Sequence, residues 1–113
     1  MKQYSNFDVK MTWDIKNIDR KTVVDGYIKN IRYAIMEDLE IWVVLLDSNG
    51  KTVCRGVDLI LPRRLDKDES APFKIEFPIV VPHGAKLVFT YKYTGCDGAD
   101  GTDWMQSFES CMD

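Results

Sequence analysis

Three aspartates recur at every third position near the end of the chain. Asp97, Asp100 and Asp103 alternate with Gly95, Gly98 and Gly101, and the core of the stretch reads CDGADGTD. Hard carboxylate oxygens on a glycine-rich loop are what calcium takes, and an ion would relieve the mutual repulsion of three acids. The alternate-residue ligand spacing of an EF-hand is absent, however, and a loop rich in Asp and Gly is also an ordinary solvated turn. The sequence favours the turn and keeps calcium as a weak metal hypothesis; it points to no other cofactor. The single histidine, His83, sits between Pro82 and Gly84. A catalytic base needs a third group to orient it and a nucleophile in reach. No serine, cysteine or acid stands at a recognisable spacing, so His83 reads as a turn residue.

Cys54, Cys96 and Cys111 are odd in number, so at most one internal disulfide can form. Cys96 and Cys111 flank a segment that could close a loop, while Cys54 lies inside a strand pattern as a small apolar filler. Without a bridge, three thiols imply a reducing compartment. The three cysteines and one histidine lack the spacing of a zinc knuckle. Asp14, Asp19 and Asp25 are scattered, and alternation puts Asp14 on a wet face. No C-x-x-C, H-E-x-x-H or glycine-rich phosphate loop occurs. The sequence therefore offers no catalytic residue, and the expectation is that the protein is not an enzyme.

The elements that carry these residues follow a period of two. Phe7, Val9, Met11, Trp13 and Ile15 alternate with Asp8, Lys10, Thr12, Asp14 and Lys16, as in a half-buried strand. A second strand covers 22–33, where Gly26 suggests a bulge or a close neighbour. The link 34–38 could hold one helical turn. Residues 39–46 are apolar on both faces, which marks a central strand covered on both sides or partly lining a contact. Asp47, Asn49 and Gly50 make a hairpin turn in which Asn49 or Gly50 takes positive φ and no activity resides. The next strand, 51–61, is expected to pack Val53, Val57, Leu59 and Leu61. Strands at 73–79, 87–93 and 104–109 follow, with a Gly/Asp loop over 94–103. Pro78 places its strand at an edge or ends it.

Seven strands with short turns predict one all-β domain over 1–113, a two-layer antiparallel sandwich, with a barrel as the alternative. Its expected core is Val9, Met11, Trp13, Val24, Ile28, Ile41, Val43, Leu45, Leu59, Phe77, Leu87 and Phe89. The formal net charge is -3. No basic excess advertises nucleic acid as a partner, since Arg63, Arg64 and Lys67 are interleaved with Asp66, Asp68 and Glu69. No apolar run approaches the roughly 18 residues of a membrane span. Residues 1–5 begin like a signal peptide, but no apolar stretch follows; the chain is expected to be cytoplasmic or a mature fragment without its leader.

G-Y-I-K-N (26–30), V-V-L-L-D-S-N-G-K-T-V (43–53), F-K-I-E-F (73–77) and L-V-F-T-Y (87–91) occur in an order that resembles the small immunoglobulin-like bacterial domains of the FxLYD and DUF3426 group. The resemblance spans roughly 7–93. Gly26 and Asn30 match its G-x-x-x-N, Leu46-Asp47 and Gly50 its strand end and turn, Phe73 and Phe77 its aromatic row, and Tyr91 the tyrosine beyond. Leu46 stands where the group has tyrosine, and there is no anchoring cysteine. The resemblance implies an exported or membrane-anchored protein of the cell envelope without known chemistry. In such a compartment Cys96 and Cys111 could bridge, a closure worth about 3 kcal/mol. The functional expectation is a non-catalytic protein-interaction or structural module whose protein partner is unidentified and whose oligomeric state is open. One alternative is a subunit of a larger envelope, secretion or phage-like assembly. Another is a small enzyme or ligand- or calcium-binding domain, with a site near His83 or the aromatic row from Tyr91 to Tyr93.

Overall fold

The alternating pattern is realised as antiparallel strands in two layers. The computed structural model describes residues 2–32, 34–81, 84–96 and 101–111. Its strands are β1 (Lys2–Ser5), β2 (Val9–Ile18), β3 (Lys21–Asn30), β4 (Ile35–Leu46), β5 (Thr52–Leu59), β6 (Arg64–Leu65), β7 (Ser70–Phe77), β8 (Lys86–Cys96) and β9 (Gly101–Cys111). One sheet runs β1-β2-β3-β7; the other runs β5-β4-β8-β9, with the short β6 also on β4. The seven long strands form an A-B-E sheet over a C′-C-F-G sheet, the immunoglobulin-like arrangement.

The core fills from both inner faces. Met11 and Trp13 of β2, Val24 and Ile28 of β3, and Phe73, Ile75 and Phe77 of β7 meet Ile41, Val43 and Leu45 of β4 and Leu87, Phe89 and Tyr91 of β8. The Trp13 and Phe89 rings lie 4.6 Å apart at the sandwich centre. Burying each large side chain contributes about 1.5–3 kcal/mol, the driving term for closing the layers. Gly26 lies opposite Trp13, where a Cβ would come 1.9 Å from the Thr12 carbonyl oxygen. The glycine is there because two backbones approach too closely for any side chain. Asn30, fully buried at the end of β3, donates to the carbonyls of Ala34 (3.0 Å) and Leu65 (2.9 Å), tying down the turn into β4.

The two seams between the sheets differ. On one side β5 meets β7, and the Asp58 carboxylate accepts the Lys74 backbone N–H at 2.9 Å. On the other side β1 and β9 touch through the stacked rings of Tyr4 and Phe108, 3.7 Å apart.

Four expectations are corrected. The phase of β5 is inverted: Leu45, Val43 and Ile41 pair with Cys54, Gly56 and Asp58, so those three share the inward side and Val53, Val57 and Leu59 point out. Leu59 is 65% exposed and Leu61, beyond the strand, 71%. Residues 35–38 are strand rather than helical turn, with a register shift between Glu37 and Glu40 and a positive φ of 53° at Asp38. Phe7 is 53% exposed and Asp8 fully buried, the reverse of the alternation. Finally, β8 and β9 extend through most of the supposed 94–103 loop, and Thr94 and Asp103 are cross-strand partners.

Candidate interaction face

Each long strand of an antiparallel sandwich normally turns its second face to water and keeps it polar. The β1-β2-β3-β7 sheet does so. Its outer side holds an open groove of about 470 Å³ lined by residues including Thr12, Asp14, Lys16, Asp25, Tyr27 and Lys74. The other sheet departs from the rule. Register aligns Leu59, Glu40, Lys92 and Met105 in one outer row, Val57, Trp42, Thr90 and Ser107 in the next, and Arg55, Val44, Val88 and Glu109 in a third. Val57 is 46% and Met105 62% exposed, while Trp42, Val44, Leu46 and Val88 are half-buried. An apolar band thus crosses the solvent side, and no described segment covers it.

Polar groups fix the band in place. The Trp42 indole N–H donates to Glu40 Oε1 at 3.2 Å, and Lys92 Nζ lies 5.4 Å from the Trp42 ring centroid, a cation–π contact. Thr90 and Ser107 share a 2.8 Å hydroxyl hydrogen bond beside them. Toward β9 the face dips into an open groove of about 380 Å³ lined by residues including Asp38, Glu40, Lys92, Asp103 and Met105. Arg63 pairs with Asp38 at its rim, 2.9 Å away.

Behind this sheet lies a buried polar cluster that sequence reasoning missed. The Tyr91 hydroxyl donates to Asp8 Oδ1 at 2.7 Å and the Tyr93 hydroxyl to Asp8 Oδ2 at 2.6 Å. Arg32 donates to the Tyr93 oxygen at 3.0 Å, with its guanidinium carbon 4.7 Å from the Trp104 ring centroid and 5.6 Å from that of Phe7. Burial, and then the bond to Asp8, push both tyrosine hydroxyls well above their ordinary range. They stay protonated donors, and the cluster locks the start of β2 onto β8. Tyr91 and Asp8 have no exposed surface.

The residues singled out from sequence are dispersed. Asp103 lies on the outer face of β9 and accepts the Thr94 hydroxyl at 2.9 Å; Asp97 and Asp100 lie outside the described residues, as does His83. Among the described residues no group of three or more His, Cys, Asp or Glu could hold a metal ion. The Cys96–Cys111 bridge is corrected: Cys96 pairs with Gly101 at one end of the β8–β9 hairpin and Cys111 with Lys86 at the other. The ten residue steps of strand from Gly101 to Cys111 span about 33 Å, whereas a disulfide needs Cα atoms within about 7 Å. Cys54 faces inward, half-buried. Gly50 has a φ of 83°, and Asp47 Oδ1 accepts the N–H groups of Asn49 and Lys51, both at 2.9 Å, so backbone geometry accounts for this turn. Among the described residues no helix is long and apolar enough to cross a membrane.

No family model matches the chain, and no curated protein matches it in sequence. Solved structures similar to it in fold include two yeast domains. The GAE domain of GGA2p from Saccharomyces cerevisiae superposes with a TM-score of 0.57 at 10% identity, over 93% of this chain and 90% of that one. The GAE domain of yeast GGA1 gives a TM-score of 0.55 at 9% identity, over 95% of each chain.

Proposed function

We propose that the chain is a non-catalytic protein-interaction module that receives its partner on the outer face of the β5-β4-β8-β9 sheet. One observation carries the reading: the side of this sheet that should be polar presents Trp42, Val57, Leu59 and Met105 in adjoining rows. Exposed apolar bands rimmed by charge mark protein-contact sites, and tryptophan is prominent among the few residues that supply most of the energy in such contacts, with apolar neighbours excluding water around it. Glu40, Lys92, Arg55 and Glu109 provide the polar surround that sets orientation.

A photo-crosslinking residue at Val57, compared with one at Thr12 on the opposite sheet, tests this in native extract. The expected result is a discrete adduct from Val57 alone, weakened about tenfold by Leu59→Lys with thermal unfolding unchanged. Adducts from Thr12 only, or none from either position, would overturn the assignment.

A further inference from the structure

The sandwich has four strand edges, and they are not equally protected. β5 and β7 face each other and are joined by the Asp58 side chain. β1 is four residues long. β9 runs for 11 residues in unbroken register with β8, and its outer edge has no strand partner among the described residues. Proteins blunt such edges with proline, lysine or a bulge, because the open row of backbone donors and acceptors templates another strand. Gly101–Cys111 contains no proline, lysine or arginine, and its pairing shows no register shift.

We infer that the outer edge of β9 accepts an extended, basic segment of another protein as an added strand. This rests on the reading of the chain as an interaction module and names the chemistry of one partner. A second copy is disfavoured by charge. Antiparallel self-pairing over the whole strand centres on Gln106 and sets Asp103 against the Glu109 of the other copy, twice by symmetry. The only charged side chains on β9 are these two acids. Asp103 also lines the groove shared with Asp38 and Glu40, where Lys92 is the one cation among the described lining residues and Arg63 is committed to Asp38 at the rim. A complementary strand therefore carries lysine or arginine at two positions six residues apart, opposite Asp103 and Glu109. Between them it carries an apolar residue to cover Met105, which is 62% exposed. Main-chain pairing would supply the attachment and the two cations the selection.

The probe is a synthetic seven-residue peptide of alternating valine and threonine with lysine at both ends, and a control with glutamate at both ends. Each is titrated into the full, isotopically labelled chain while amide shifts and hydrogen exchange are followed. The lysine peptide should slow exchange along β9 and bind about tenfold more tightly than the control. The double variant Asp103→Lys/Glu109→Lys, at exposed positions and with an unchanged melting curve, should invert that preference. Unaltered β9 amides with both peptides, equal binding of the two, or β9 amides already protected in a dimer of the chain alone would each overturn the inference. Shifts confined to Trp42, Val57 and Leu59 would remove the edge while leaving the face as the docking surface.

Discussion

Replacing Asp8 by alanine removes the acceptor of two buried hydroxyls at once. Tyr91 and Tyr93 are 0% and 3% exposed, and both donate to this carboxylate at 2.7 Å or less. A buried donor left unsatisfied costs about 1–3 kcal/mol, so two cost about 4 kcal/mol together. That is a large part of the roughly 5–15 kcal/mol that holds a domain folded. At about 4 °C per kcal/mol for a chain of this size, the melting temperature should fall by about 16 °C. Urea unfolding followed by tryptophan fluorescence and circular dichroism gives the free energy directly. Adding Tyr91→Phe to Asp8→Ala removes one of the orphaned hydroxyls, so the double variant should be less destabilised than the sum of the singles by about 1–2 kcal/mol. Strict additivity, or a loss below about 1 kcal/mol for Asp8→Ala, would refute the idea that the cluster clamps the sheets.

Three further outcomes are expected. Because Tyr91 and Tyr93 hold their protons to higher pH when folded, their contribution to stability is constant below the ordinary tyrosine range near pH 10. Above it the unfolded state binds fewer protons, so stability falls by about 1.4 kcal/mol per pH unit for each tyrosine, to be read from unfolding curves and tyrosinate absorbance. Gly26→Ala should cost about 3 kcal/mol or more in urea unfolding, since its Cβ meets main chain rather than a movable side chain. Phe89→Ala should cost about 3–5 kcal/mol and Leu59→Ser less than about 0.5 kcal/mol, a contrast that calorimetry can check and that separates inner from outer face.

The layer architecture was legible because alternation is a local property of each strand. The placement of the seven long strands, though not their ends, and eleven of the twelve expected core residues follow from it, with Leu59 the exception. Alternation defines two faces without saying which is inner. In β5 the apolar face, Val53, Val57 and Leu59, points outward because the pairing with β4 turns Cys54, Gly56 and Asp58 inward. The clue lay one strand earlier, in residues 39–46, whose apolar character on both sides left room for a contact surface. Asp8 was illegible for another reason. Just before β2 the chain turns, with the Asn6 N–H bonded to the Val9 carbonyl and the Ile31 N–H to the Asp8 carbonyl, which breaks the phase. Its hydroxyl partners lie 83 and 85 positions away in sequence. The candidate interaction face likewise exists only through register, since its rows draw on β5, β4, β8 and β9.

The place of β4 between β5 and β8 also has a temporal side. β4 ends at Leu46, but the strand that completes its pairing ends at Cys96, about 50 residues later. A ribosome adding about 5–20 residues per second needs about 3–10 s to cover that interval. Throughout it EIWVVLL, β-prone, free of proline and apolar on both sides, waits with one edge unpaired. The newborn chain is therefore most exposed to misassociation after β5 has emerged and before β8 arrives, and slowing synthesis over residues 60–90 should lower the yield of folded protein.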